Sequence, residues 1–121
     1  MNLLDASISN AVDGLDTPFG ELSTGRFGLS GGEDVVMGIR PSDIRLAQDS
    51  EPHINMKVQL VEPLGDITVV SVDAAGENLR MVLSEAGALG VQPGHELPVV
   101  IPAESVHVFR KADGAAMPAG M

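Results

Sequence analysis

The sequence predicts an all-β protein, a small barrel or sandwich with a few short helical turns. Fourteen glycines and eight prolines divide the 121 residues into segments of strand length. Within several segments apolar and polar side chains alternate, which is the period of a strand with one buried face. Short strands separated by turns about every 8 to 12 residues are typical of barrels and sandwiches.

Eight strands are predicted in chain order. They comprise residues 4–12, 20–23, 35–39, 54–61, 67–73, 79–83, 97–101 and 106–109. The first two are expected to form a hairpin around Asp13, Gly14 and Pro18. The third is apolar on both faces and is therefore expected to be central in a sheet. The fourth, fifth and sixth are separated only by turns and are expected to form a meander.

Single helical turns are expected after three strands. They comprise residues 42–44, 84–89 and 103–105. Pro41 and Pro102 precede two of these turns, and Ser84 is placed to cap the third, because a serine hydroxyl accepts hydrogen bonds from the free N–H groups of a first turn.

The composition argues against several classes of function. Seventeen acidic residues against seven basic ones give a formal charge of -10, which argues against binding nucleic acid or an anionic membrane surface. The absence of cysteine excludes disulfides and thiolate metal sites. With three phenylalanines and no Trp or Tyr, a stacking platform for bases or sugars is not expected. No apolar run approaches 18 residues, so direct membrane insertion is not expected.

Residues 29–33 read Leu-Ser-Gly-Gly-Glu and resemble the Leu-Ser-Gly-Gly-Gln signature of ABC-type ATPases. In that signature a helix follows the glycines and directs its N–H groups at a phosphate. Here the following residues, 34–38, have the pattern of a strand, and the carboxylates of Glu33 and Asp34 would repel a phosphate. We therefore interpret this segment as a flexible glycine turn.

No catalytic or metal site is predicted. The two lysines, Lys57 and Lys111, do not follow a Gly-x-x-x-x-Gly pattern, so the chain has no phosphate loop of its own. His53, His95 and His107 share no helical spacing and no carboxylate motif that would converge on zinc. The chain is therefore expected not to be an enzyme and to hold no cofactor.

Arg40 is the most notable single residue. It ends an apolar strand, precedes Pro41 and lies three residues before Asp43. A guanidinium at the end of a buried strand normally needs a carboxylate partner, so a structural ion pair between Arg40 and Asp43 is expected. The alternative is that Arg40 contacts an anion or a partner protein.

Four further motifs occur in a characteristic order. They are Gly-Ile-Arg-Pro at 38–41, Val-Glu-Pro-Leu-Gly at 61–65, Pro-Gly at 93–94, and Pro-Ala-Glu with His-Val-Phe within 102–109. Together they resemble the transport-associated OB (TOBE) domain, which follows the ATPase domain in ATP-binding subunits of carbohydrate-type ABC importers. Residues 1–4 resemble the family's segment between the two domains, so Met1 is expected to be internal to a longer chain. Ser42 and Val108 stand where Glu and Leu are usual.

The resemblance implies an OB-fold-like β-barrel that acts as a non-catalytic regulatory and dimerisation domain. Residues 1–34 would be N-terminal strands with a Gly-rich loop, 35–111 the TOBE domain, and 112–121 a flexible tail. The implied partners are the ATPase domain and permease subunits of the same importer, and a regulatory protein. ATP and Mg would belong to the ATPase domain. The implied location is the cytoplasm, on the inner face of the cell membrane.

The alternative is a module that binds a small ligand or an oxyanion, as in the related molybdate-binding domains. Arg40, Arg45 and backbone N–H groups near Gly65 would then hold the anion. The net charge opposes this reading. A nucleic-acid-binding OB module is a third option, disfavoured by charge and by the missing aromatics.

A weak homodimer is also predicted. Its candidate contacts are the apolar residues near the C-terminal end, where regulatory domains of the family meet: Val99, Ile101, Val106, Val108 and Phe109. Because each copy carries a formal charge of -10, salt is expected to strengthen the association by screening the repulsion.

Overall fold

The structure, a computed structural model, describes residues 1–11, 13–24 and 29–117. These residues form β-strands joined by turns and two short 3₁₀ turns, so the all-β prediction is confirmed. The strands are β1 (Asn2–Ile8), β2 (Leu15–Thr17), β3 (Gly20–Leu22), β4 (Asp34–Ile39), β5 (Arg45–Leu46), β6 (Ile54–Pro63), β7 (Ile67–Ala74), β8 (Glu77–Ser84), β9 (Glu96–Val100) and β10 (His107–Arg110). The 3₁₀ turns are Pro41–Asp43 and Ala103–Ser105. The chain packs as two units, one from residues up to Ile39 and from Pro102 onward, the other from Arg40–Ile101.

The first unit is an antiparallel sheet with the strand order β10-β4-β1-β2-β3. As predicted, β4 is internal, with β1 on one side and β10 on the other. Val35, Met37 and Ile39 on β4 are buried, and Leu4 and Ile8 of β1 join them in the core. Because β4 is paired on both sides, its backbone polar groups can be hydrogen-bonded to its neighbours. A strand in this position can therefore have an almost wholly apolar sequence.

The N-terminal hairpin differs from the prediction, because β1 ends at Ile8 and an additional strand, β2, intervenes before β3. A side chain on Gly14 would place its Cβ 1.8 Å from the Leu22 carbonyl oxygen, so only glycine allows the chain to pass there. The hydroxyl of Thr17 then closes the β2–β3 turn by donating to the Gly20 carbonyl at 2.8 Å. Of the predicted strand 4–12, residue 12 lies outside the described residues.

The second unit is a sheet with the order β5-β9-β6-β7-β8. The meander prediction is confirmed: β6, β7 and β8 pair antiparallel. Ala75 and Gly76 both have positive φ, as the two-residue turn between β7 and β8 requires. The pairing of β6 with β7 shifts register between Val58 and Leu60, and a bulge of this kind bends a strand. The edge strands β5 and β8 approach each other and the first 3₁₀ turn packs on β8, so the sheet curls toward a barrel.

The core of the second unit is apolar and lies within this curled sheet. Its fully buried side chains come from alternate positions of the central strands and from the segment after the first 3₁₀ turn. They are Ile44, Met56, Val58, Val70, Val72, Leu79, Met81 and Val99.

Two of the predicted helical turns are found as 3₁₀ turns. The first begins at Pro41, one residue before the predicted range 42–44, and the second spans the predicted residues after Pro102; in both the proline fixes φ for a tight turn. The third follows β8, where the Ser84 hydroxyl accepts a hydrogen bond from the Gly87 N–H at 3.0 Å and the Ser84 carbonyl accepts one from Ala88 at 3.0 Å. Ser84 thus caps a turn that does not continue as a helix.

The glycine segment at 29–33 is a turn, as predicted. The Gly32 N–H donates to the Ile8 carbonyl at 2.7 Å, and the Ile8 N–H donates to the Glu33 carbonyl at 2.9 Å. Strand β4 begins at Asp34. The backbone N–H of Gly32 is therefore used inside the protein, and no helix follows to direct N–H groups at a phosphate.

The segment after β10 folds back along that strand. Arg110 donates its N–H to the Ala115 carbonyl at 2.8 Å, and Met117 donates to the Val108 carbonyl at 2.8 Å. The described part of the expected flexible tail, residues 112–117, thus covers the outer edge of β10, while residues 118–121 lie outside the description. The domain boundaries at 34/35 and 111/112 rest on motifs and stay a prediction.

Candidate functional site

Arg40 does not form the predicted ion pair. Its side chain is exposed, and within the described residues no salt bridge joins it to Asp43. The connection between the two residues is through the backbone, where the Asp43 N–H donates to the Arg40 carbonyl at 3.0 Å. A guanidinium in water needs no carboxylate, because the desolvation that would demand one does not occur.

Arg45 forms an ion pair of its own, which was not predicted from the sequence. Two guanidinium nitrogens of Arg45 donate to the two carboxylate oxygens of Glu51, one of them at 2.7 Å. The Gln48 N–H donates to the same carboxylate at 3.0 Å. The Arg45 hydrogen bonds, followed by that from Gln48, lower the pKa of Glu51 from 4.5 to about 2. An incoming anion would therefore have to compete with Glu51 for this guanidinium.

Gly65 lies in the tight turn between β6 and β7. Its φ of +96° places it in a region that favours glycine, and the Leu64 N–H donates to the Ile67 carbonyl at 2.8 Å to close the turn. Arg45 lies near the other end of β6, because it pairs with Val100 of β9, and the preceding β9 residue, Val99, pairs with Ile54 at the start of β6. Arg45 and Gly65 are thus at opposite ends of a ten-residue strand and do not form one anion site.

The predicted dimer contacts are mostly core residues. Val99, Ile101, Val106 and Val108 are each at most 6% exposed. Because these side chains are buried within the molecule, they offer no surface to a second copy. Phe109 differs, since it is half-buried on the outer face of the first sheet.

The outer face around Phe109 carries an apolar cluster. Met1 and Leu3 are 55% and 60% exposed. The Gly38 Cα lies beneath all three: a Cβ there would meet the Met1 sulfur, a Leu3 methyl carbon and the Phe109 ring. Lys111 and Asp5 form an ion pair of 3.2 Å beside this cluster.

A second ionic group of the first unit surrounds Arg110. Its guanidinium lies 3.5 Å from the Glu33 carboxylate and 3.3 Å from that of Asp113. The pKa of Asp113 is lowered mainly by the hydrogen bond that its carboxylate accepts from the Ala115 N–H, and to a smaller extent by the positive charge of Arg110. A shallow pocket of about 350 Å³ beside this group is lined by Glu33, Asp34, Lys111 and Ala112, a mixture of charges that selects no anion. Because these groups are partly exposed, they contribute little to stability.

No cluster of three or more His, Cys, Asp or Glu side chains suitable for a metal occurs among the described residues. His107 is exposed on β10, and His53 contacts the Glu51 carbonyl through Nδ1 at 2.9 Å. None of the described helical segments is long and apolar enough to cross a membrane.

An apolar groove in the second unit was not predicted. It has a volume of about 260 Å³ and is formed by the end of β6, the start of β7 and the loop after β8. Its lining residues are Val61, Pro63, Thr68, Glu85, Ala88, Leu89, Gly90 and Val91. The one signal in the sequence is Leu89, a large apolar residue in a segment of Gly and Ala where a turn was expected.

Comparison with known proteins agrees with the motif order. The model of the TOBE domain family matches residues 37–109. The maltose/maltodextrin import ATP-binding protein MalK of Vibrio cholerae is 34% identical over 85 residues, which are 70% of this chain and 22% of that protein. The sn-glycerol-3-phosphate import ATP-binding protein UgpC 2 of Agrobacterium fabrum is 34% identical over 83 residues, 69% of this chain and 21% of that protein. The chain thus spans about a fifth of these relatives.

The fold has a solved counterpart. The cytoplasmic molybdate-binding protein ModG, crystallised with molybdate bound, superposes with a TM-score of 0.74 at 19% identity, covering 88% of this chain and 94% of that one. At this identity the likeness concerns the fold, and it confirms the OB-type prediction. With the family model matching more than half of its residues, the chain belongs to the TOBE domain family.

Proposed function

We propose that this chain is the non-catalytic regulatory region of the ATP-binding subunit of an ABC-type importer for a sugar or a related solute. The observation that carries the proposal is the match to the TOBE family together with relatives that are import ATP-binding proteins. The glycine turn at 29–33 supports the non-catalytic part, because the N–H groups of Gly32 and Glu33 donate to backbone carbonyls within the protein and a strand, not a helix, follows. ATP and Mg would then bind to an ATPase domain, and permease subunits would complete the importer at the inner face of the cell membrane.

A chimera tests the regulatory role. Residues 37–109 would replace the matching region in the Vibrio cholerae MalK, and maltose uptake would be measured in cells that lack their own copy. We expect uptake well above that of a MalK from which the region has been deleted. Uptake equal to that of the deletion, with the chimera present at normal level, would contradict the proposal.

Nucleotide binding tests the non-catalytic part separately. We expect the melting temperature of the isolated chain to be unchanged by millimolar Mg-ATP, because a ligand that binds only the folded state raises it. A rise of several degrees would refute this part while leaving the family membership untouched.

Oxyanion binding is the second candidate function, and the structural likeness to ModG favours it. The placement of Arg45 against Glu51, away from Gly65, speaks against it. Titration calorimetry with molybdate and with sulfate separates the two functions. We expect no saturable heat; micromolar binding that is lost in Arg45→Ala would favour the oxyanion module.

A weak homodimer completes the proposal, with its contact moved from the buried residues to the exposed cluster of Met1, Leu3 and Phe109. This face is flanked by one base and one acid, Lys111 and Asp5, so a two-fold contact here does not oppose two acidic surfaces. Light scattering after gel filtration at low and high salt provides the test. A monomer mass at about 100 μM in both buffers would refute it, and Leu3→Asp should abolish a dimer if one is found.

A further inference from the structure

We propose that the apolar groove of the second unit binds a basic segment of another protein that inserts one large apolar side chain. The inference does not rest on the proposed transport role. Its volume of about 260 Å³ is below the range of about 300–1,000 Å³ typical of small-molecule sites. A single anchoring side chain is the occupant that fits such an open recess.

The groove lies at the end of β6 and the start of β7, on the face of the sheet that points toward the core. Val61 pairs with Val70, and Pro63 pairs with Thr68, so these groove residues share a face with buried residues of β7. Thr68 in turn pairs with the buried Leu83 of β8. The groove is therefore continuous with the apolar core, and an apolar side chain placed in it would extend that core.

The loop after β8 holds the outer wall in place. The Glu85 N–H donates to the Asp66 carbonyl at 3.0 Å, which ties the loop to the β6–β7 turn. Inside the loop Leu89 donates to the Ala86 carbonyl at 3.3 Å and Val91 donates to the Ala88 carbonyl at 3.1 Å. A wall ordered before binding loses little further entropy when a partner arrives.

Large apolar side chains are exposed around the groove. Leu89 of the groove wall is 78% exposed, and Leu64, which follows the groove residue Pro63, is 63% exposed. Ile67 is 41% exposed but alternates with Thr68 and therefore lies on the outer face of the sheet. Single exposed leucines are ordinary, but two beside an apolar recess are consistent with an interaction surface.

The charge of the two groove segments selects the partner. Residues 61–68 and 85–91 include Glu62, Asp66 and Glu85, and they contain no Lys or Arg. Asp66 and Glu85 lie next to each other through their backbone hydrogen bond, whereas Glu62 alternates with Val61 and lies on the outer face of β6. A second copy of this chain would bring the same carboxylates against them. A partner with Lys or Arg beside its apolar anchor gains attraction instead.

The test uses the full chain labelled with ¹⁵N and two synthetic 12-residue probes. In one probe the Leu residues are placed at the spacing of an amphipathic helix and the remaining positions include Lys. The other probe has the same design with Glu in place of Lys. We expect the basic probe to bind with micromolar affinity, to shift the amide resonances of residues 61–68 and 85–91, and to weaken as salt rises. Absence of saturable binding up to about 1 mM, or equal binding of the acidic probe, would overturn the proposal.

Three variants locate the binding. Leu89→Ser removes an exposed side chain, so folding is retained, and it should weaken the basic probe about tenfold, since burying a leucine is worth about that factor or more. Glu85→Gln should weaken it about threefold and reduce the salt dependence. The control, Leu60→Ser, changes a leucine of β6 that is 50% exposed and does not line the groove, and it should leave the affinity unchanged. An unchanged affinity in Leu89→Ser would show that the probe binds elsewhere and would overturn the proposal.

Discussion

Replacing Val99 by alanine distinguishes a core residue from an interface residue. Val99 is 0% exposed, and its strand β9 is paired on both sides, with β5 and β6. The substitution removes two carbon groups worth about 0.8 kcal/mol each, and the cavity left behind adds about 1 kcal/mol. We therefore expect the free energy of unfolding to fall by about 2–3 kcal/mol, with no change in self-association.

Urea denaturation measures this loss. With a slope of about 2 kcal/mol per molar urea, the midpoint should fall by roughly 1 M. The neighbouring Val100→Ala is the control, because Val100 is half-buried on the other face of the same strand and should lose less than half as much. Unchanged stability of Val99→Ala together with loss of a dimer would refute our assignment of this side chain to the core.

Four further outcomes follow from the structure. Arg40→Ala should change the stability by no more than about 0.5 kcal/mol in the same urea assay, because exposed charges contribute little; a loss above about 1 kcal/mol would revive the ion-pair model. Glu51 has a pKa lowered to about 2, so the stability that it contributes is present above pH 4.5 and is lost as the pH falls toward 2; Glu51→Gln should flatten the melting temperature over that window, and an unaltered pH profile would contradict this. Ending the chain after Lys111 uncovers β10 and should increase the mass seen by light scattering, as exposed strand edges pair; a number of protomers per particle unchanged from that of the full chain would show that the edge needs no cover. Gly14→Ala should lose about 3 kcal/mol or more, because its Cβ would lie 1.8 Å from the Leu22 carbonyl oxygen; a wild-type melting curve would disprove that close approach.

The strands that could be predicted from the sequence are those whose pattern is local. Strands β6, β7 and β8 alternate apolar and polar residues between strong turn signals, and each was found where the pattern placed it. The three-residue strand β2 was missed because it is too short to show a period, and its position depends on the close passage of Gly14.

The site residues were harder to predict because their roles depend on distant parts of the chain. The sequence pattern placed Val99 and Val108 on strands as apolar residues. It does not tell whether their side chains pack against the same molecule or against a second one. The partner of Arg45 was missed because Glu51 reaches it across a loop and not through strand pairing. The groove depends on the β6–β7 turn meeting the loop after β8, and no local pattern reports such a meeting.

The first unit is built from both ends of the described chain, and this order has a consequence for synthesis on the ribosome. All strands of the second unit emerge before β10, so that unit can fold while β10 is still inside the exit tunnel. Strand β4, by contrast, has β1 beside it early but must wait for β10 to cover its other edge. During that interval one side of an apolar strand is unpaired and exposed to association, and the hazard ends only when β10 has paired with β4 and residues 112–117 have in turn covered β10.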